Sequence, residues 1–253
     1  MARELRRLLI PPERLAAQEV ALEPGEAHYL GRVLRLRPGD RFDLVDGAGR
    51  LWSAKLSQVD GAVLEQPLQT PLQQQKKPAP LLELALALPR RDADVLLRMV
   101  VELGIDRILP LRAERSVGPD GPRPERGAAI LREAVEQCER LWQPELRSPV
   151  AATALLGLPP PHGAGRGLLA SSRKLGLPLL QELLVPLAPG PASAGEGLVV
   201  AIGPEGGWSP AEEGLALEQG WQPVSLGPTI LRCSTAAVAA AALLSHWRQS
   251  LVS

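Results

Sequence analysis

The sequence predicts an α/β protein: a mostly parallel sheet covered by helices, preceded by a small β-rich domain. Three observations carry this. From residue 81 onward, short apolar runs alternate with segments of amphipathic helix length. The turns Gly203-Pro204-Glu205-Gly206-Gly207 and Gly227-Pro228 each end an apolar run and each precede a helix signal. Before residue 70, strand-length runs are instead separated by Pro-Gly, Asp-Gly and Gly-Ala-Gly turns.

The chain of 253 residues is 45% hydrophobic, enough for a substantial core in one large or two ordinary domains. Basic and acidic side chains balance at 28 each, so no global field draws in nucleic acid, and such a partner would need local patches. Nothing reads as a signal peptide or a membrane span, which gives the expectation of a cytoplasmic protein. Two cysteines, Cys138 and Cys233, and three scattered histidines lack metal-site spacing, so no metal is expected.

In the first segment, Glu26–Leu36 reads as a short helix, and Arg41–Val45, Leu51–Val59 and Ala62–Leu68 as strands of hairpins. Arg32, Arg35, Arg37 and Arg41 fall within ten residues. Such a run is either a solvated face or an RNA-contacting patch. Pro67–Pro80 turns abruptly to Pro, Gln and Lys, which reads as linker and sets domains at 1–70 and 81–253 with a linker at 71–80.

Beyond it, Leu81–Leu88 is a strand, Asp92–Leu103 a helix stopped by Gly104, and Ile105–Leu111 a strand. Ala113–Pro124 is a loop with Arg115 and Arg123, followed by a helix over Glu125–Trp142. A strand near Val150, a strand at Leu168–Ala170 and a helix at Leu177–Leu187 come next. Leu198–Ile202 has the continuous apolar character of a strand buried on both faces. Ser209, Pro210 and Glu212 form a capping-box start for a helix that closes near Gly220. Pro223–Leu226 is a further strand, and Ser234 or Thr235 is expected to cap the alanine-rich helix Ala236–His246.

Two glycine turns at strand ends make a ligand site. The first is neither G-x-G-x-x-G nor a P-loop, which disfavours dinucleotides and nucleoside triphosphates. No G-x-S-x-G serine and no histidine lies near either turn, so a hydrolase lacks its parts. Arg232 remains beside the second turn, as a helix-capping or ion-pairing residue or as a stabiliser of negative charge on a substrate.

IGPEGGWSPAEE and SLGPTILRCSTAAVAAAALL resemble the two C-terminal motifs of the RsmE family, the small-subunit ribosomal RNA uridine-N3 methyltransferases of the SPOUT class. HYLGRVLRLRPGD, DGAG, VELGIDRILPL, ERS and EAVEQCERLWQPEL extend the resemblance over nearly the whole chain. It implies a SPOUT trefoil-knot methyltransferase domain behind a PUA-like RNA-binding β-barrel, a homodimer, and 16S rRNA within the small ribosomal subunit as partner. S-adenosyl-L-methionine is the implied cofactor. Carried over, its lining is Gly203, Pro204, Glu205, Gly206 and Gly207, then Ser225, Leu226 and Gly227, then Ile230 and Leu231, with the strand end Leu169, Ala170 and Ser171 as a third wall. Arg232 is the implied catalytic residue, stabilising the anion left when uracil N3 loses its proton. Arg32, Arg35, Arg37, Arg115 and Arg123 are the implied RNA contacts.

Two positions depart from the family pattern. Cys233-Ser234-Thr235 stands where Thr-Glu-Thr is common, so no role for that glutamate carries over, and water or the RNA is left as base. Met99 replaces a usual lysine and reads as a core-facing helix residue. Cys233 reads as an inert thiol or, less simply, a reactive one. Two other readings stay open: a catalytically silent RNA-binding protein that kept the fold, and an unrelated α/β nucleotide-binding enzyme.

Overall fold

The computed structural model describes residues 6–57, 61–117, 121–162, 166–172, 174, 176–185 and 197–251. The chain divides into two compact units, Met1–Lys77 with Arg132–Gln143, and Pro78–Leu131 with Pro144–Ser253.

The first unit is built on short strands: β1 (Arg7–Leu9), β2 (Glu19–Ala21), β3 (Arg41–Val45), β4 (Arg50–Leu56), β5 (Gly61–Leu64) and β6 (Gln73–Gln74). Their order is β1-β3-β4-β5-β2, with β6 on β4. Only β1 with β3 is parallel; the other pairs are antiparallel. The β3–β4 hairpin turns at Asp46, whose Oδ1 accepts from the amides of Ala48 and Arg50, and Gly49 sits at φ +96° where a Cβ would strike the Gln75 carbonyl at 2.5 Å. Only glycine fits there. Phe42, Leu44, Trp52 and Ala54 alternate inward on the two strands and meet Leu30 in one apolar core. The helix expected over Glu26–Leu36 is shorter: α1 (Pro24–His28) runs into a π-helical turn at Tyr29–Val33. Arg35 then takes φ +58°, and the Leu36 amide donates back to the Leu30 carbonyl, which closes the turn.

The second unit alternates strands and helices: β7 (Leu82–Leu86), α2 (Ala93–Glu102), β8 (Arg107–Arg112), α3 (Pro124–Gln137), β9 (Glu145–Leu146), β10 (Val150–Ala151), α4 (Ala152–Leu156), β11 (Gly167–Ala170), α5 (Leu180–Leu184), β12 (Leu198–Ile202), α6 (Pro210–Glu218), β13 (Gln222–Val224) and α7 (Cys233–Ser250). The end of α3, from Arg132, groups with the first unit. The sheet order is β10-β8-β7-β12-β11-β13, with β9 also on β8, and every pair is parallel. Every residue of β7 and β12 is buried, which explains the unbroken apolar run of β12; in β7 the one polar residue, Glu83, is buried against Arg107 and His162. Each such Leu, Val or Ile contributes roughly 1.5–3 kcal/mol of transfer free energy.

Four helix expectations are corrected. On α2 the buried face is Leu96, Leu97, Val100 and Val101, and this i, i+1, i+4, i+5 stripe leaves Met99 44% exposed rather than in the core. The helix expected to reach Trp142 stops at Gln137, because Glu139 adopts φ +63°. The expected Leu177–Leu187 helix is only α5 within the described residues. Finally, α7 begins at Cys233 with Arg232 at its N-cap, so neither Ser234 nor Thr235 caps it. Its buried face, Cys233, Ala236, Ala237, Ala240, Ala241 and Leu244, already includes the first helical residue. Among the described residues no helix is long and apolar enough to cross a membrane, and no acid, histidine and cysteine cluster could hold a metal.

Candidate cofactor site

Parallel pairing sets the carboxyl ends of β7, β12, β11 and β13 along one edge, where a doubly wound sheet places its ligands. A cavity of about 700 Å³, open mouth included, lies there.

Its first wall is the turn after β12. Ser209 caps α6: its Oγ accepts from the Glu212 amide at 3.2 Å, while Glu212 Oε2 accepts from the Ser209 amide at 2.9 Å. Glu212 is 1% exposed, and its other oxygen accepts from the Glu114 amide at 2.8 Å. One buried carboxylate therefore fixes the start of α6 and ties the loop after β8 to it. That loop brings Arg115 to the cavity, where its guanidinium donates to the Gly206 and Trp208 carbonyls at 3.2 Å each.

Trp208 is the pivot of this wall. It is 7% exposed, and its Nε1 donates to the Ala170 carbonyl at 3.0 Å, tying the turn to the end of β11. The ring lies across Gly203, where a Cβ would stand 2.9 Å from it, and Gly207 takes φ +72°. Gly203→Ala is accordingly expected to cost about 1–3 kcal/mol by overpacking, read as a lowered urea midpoint. An unchanged midpoint would mean that the indole gives way.

Ala170, Ser171 and Ser172 at the end of β11 form a second wall, and Leu226, Gly227, Thr229 and Leu231 after β13 a third. Ser225 Oγ donates to the Gly227 carbonyl at 3.0 Å and accepts from the Gly227 amide at 3.2 Å, closing that turn. Glu213 supplies a carboxylate, which accepts from Ser171 Oγ at 3.2 Å and pairs with Lys174 Nζ at 2.9 Å.

Of the residues singled out from sequence, Gly203, Pro204, Gly206, Gly207, Leu226, Gly227, Leu231 and Ala170 line the cavity. Glu205, Ser225, Ile230 and Leu169 are not among its lining. Leu169 points into the core at 1% exposure because alternate residues of β11 face opposite ways. Ile230 is 67% exposed, and Leu231 is the apolar side chain that turns inward. Arg232 lies between two lining residues, with its own side chain exposed and without an ion-pair partner among the described residues. Arg32, Arg35 and Arg37 stand exposed in the first unit, and Arg123 is exposed in the second. Arg115 is drawn to the cavity.

Ser171, on the strand end expected as a wall, also lines the cavity, whereas sequence reasoning missed Trp208, Glu213 and Ala236. An aromatic directly after Gly206-Gly207 was a usable signal for Trp208; Glu213 had none. Cys233 also lines the cavity, and its Sγ donates to the Ala87 carbonyl at 3.0 Å. Burial, with the Glu205 carboxylate adding to it, pushes this thiol up to about 12. It is inert at neutral pH.

An RNA methyltransferase domain family model matches residues 75–245, and an RNA methyltransferase PUA domain model matches residues 22–62. A ribosomal RNA small subunit methyltransferase E of Synechocystis sp. is 39% identical over 253 residues, covering 96% of this chain and 78% of that protein. This chain belongs to the ribosomal RNA small subunit methyltransferase E family. A methyltransferase E of Mycobacterium tuberculosis is 30% identical over 89% of this chain and 87% of its own. Among solved structures, a methyltransferase E from Neisseria gonorrhoeae bound to S-adenosyl methionine matches with TM-score 0.76 and 29% identity, covering 96% of this chain and 98% of that one. A putative methyltransferase of Legionella pneumophila, in complex with the bound cofactor SAM, matches with TM-score 0.79 and 26% identity over the same shares. The methyltransferase E family thus accounts for both units: the PUA match lies in the first and most of the methyltransferase match in the second.

Proposed function

We propose that this chain methylates N3 of a specific uridine in 16S rRNA of the small ribosomal subunit, with S-adenosyl-L-methionine as methyl donor. The observation that carries the reading is the cavity where two glycine turns, Trp208 and Leu231 meet at the strand ends.

The residues present fit the cofactor. Gly206 and Gly227 would let backbone close in on a ligand, Leu226, Leu231 and Ala236 would offer apolar contact to an adenine, and Glu213 would offer a carboxylate to a cationic group. When bound, the cofactor supplies an electrophilic methyl group on sulfur. The chain's part is placement and charge. Uracil N3 must lose its imide proton, to water or to the RNA. The electron pair left on N3 would take up the methyl group that the cofactor supplies. Arg232, at the start of α7 beside the cavity, stabilises the anion without acting as base. The target uridine must be unpaired or flipped, because pairing hides N3.

The second unit is, in this reading, the trefoil knot of the SPOUT class in a homodimer, working in the cytoplasm. Insertion of β12 between β7 and β11 supports it, with α7 returning from β13 to contact β7 and β12.

Small subunits from a strain lacking the modification, incubated with tritiated S-adenosyl-L-methionine, test the function. Label in 16S rRNA, recovered as 3-methyluridine at one position, is the expected result. Binding of subunits without transfer would leave a silent RNA-binding protein instead.

A further inference from the structure

Two of the motifs that carry the family resemblance, residues 28–40 and 133–146, contribute nothing to the cofactor cavity. They nonetheless meet. Within the first unit they form the walls of one groove: Val33, Leu34 and Leu36 from the π-helical turn and its exit, and Glu136, Gln137 and Glu139 from the end of α3 and the turn after it. Arg6 before β1 and Arg7 at its start, Asp40 before β3 and Arg41 at its start, and Cys138 complete it.

The chemistry of this lining is mixed, and the mixture is informative. A plain phosphate clamp would be uniformly basic. Here Glu139 Oε2 accepts from Arg7 at 2.9 Å, Arg41 is paired with Glu65 at 2.8 Å, and Asp40 accepts from the Arg37 amide at 2.7 Å. Arg6 remains exposed, with no ion pair among the described residues. Val33 is 59% exposed although β-branched and apolar. Arg32, Arg35 and Arg37 flank it in sequence, each exposed. An apolar wall, donors and acceptors in the same lining, and exposed cations in and next to the segments that form it match the face, edge and phosphate of a single-stranded nucleotide.

We propose that this groove seats an unpaired nucleotide of the RNA substrate, base against Val33, Leu34 and Leu36 and phosphate toward Arg6 and the Arg32–Arg37 arginines. This rests on the reading that RNA is the substrate. It makes the PUA-like unit a reader of one exposed base rather than a general basic surface. Register would follow: gripping one unpaired nucleotide fixes which neighbouring uridine can be offered for methylation.

Fluorescence anisotropy with the full chain tests it, using a short single-stranded oligouridylate, an abasic strand of equal length and a duplex. The oligouridylate should bind at least about fivefold tighter than the abasic strand, the size of a small apolar contact of about 1 kcal/mol. Val33→Ser, at an exposed position, should erase most of that difference and leave the abasic strand's binding as it was. Arg6→Gln should weaken both strands. S-adenosyl-L-methionine binding should not change in either variant. Equal binding of abasic strand or duplex by the wild type overturns the proposal, as does an unchanged preference in Val33→Ser. Methyl transfer by the wild type to unmodified subunits is read separately. If it succeeds while the groove variants behave as wild type, the groove is wrong and the function stands; if it fails, the function is wrong.

Discussion

Arg232→Ala is expected to lower the rate of methyl transfer by about 10²–10³-fold, the usual loss when one preorganised group that stabilises a developing anion is removed. S-adenosyl-L-methionine affinity should stay within about twofold, since Arg232 is outside the cavity lining while its neighbours Leu231 and Cys233 are inside it. The competing explanation is structural, and α7 argues against it. Arg232 is the N-cap of that helix but gives no side-chain cap hydrogen bond, and a cation there opposes the helix dipole by about 0.3–1 kcal/mol. Alanine should therefore leave the denaturation midpoint unchanged or slightly raised. Arg232→Lys keeps the charge and loses the planar fork, so partial recovery is expected. Equal losses of transfer and cofactor binding, or a lowered midpoint, would return the residue to a structural role.

What was legible in the sequence was what is decided locally. The capping box of Ser209, Pro210 and Glu212 needs only four consecutive residues, and it is present as read. Leu198–Ile202 declared itself because both faces of β12 are covered, so no polar residue interrupts it. Strands β1, β2 and β6 are two or three residues long and owe their existence to distant partners, as when Arg7–Leu9 pairs with Asp43–Val45. No period can be seen in three residues. The cavity shows the same division. Its glycine turns were visible as breaks in apolar runs, whereas the choice of Leu231 over Ile230 is made in a loop that has no face to alternate. Arg115 read as a loop arginine reaching toward RNA. Its place depends on Glu212 reaching across to the Glu114 amide, a bond between residues 98 apart.

Glu136→Gln is expected to stabilise the protein, increasingly as pH rises. Glu136 lies at the end of α3, where burial pushes its carboxyl up to about 7. The Leu9 amide, which donates to Oε1 at 2.8 Å, and the Arg132 cation pull it down, while Glu26 and Glu133 push it further up. Arg6, Arg7, Asp40, Arg41 and Glu139 are the other charges of the same groove. In the unfolded chain the group ionises near its ordinary value of about 4.5. Between those two values the folded state holds a proton that the unfolded state has lost, so stability falls as pH rises from about 4.5 and levels off above about 7. The full loss is on the order of 3 kcal/mol. Glutamine keeps an oxygen to accept from Leu9 and has no charge to desolvate. The stabilities of wild type and variant, read from urea unfolding, should thus coincide near pH 4 and separate toward pH 8 by up to about 3 kcal/mol. A separation that is the same at both pH values would show that the carboxyl is ionised throughout. Glu136 also lines the groove proposed to hold the RNA base.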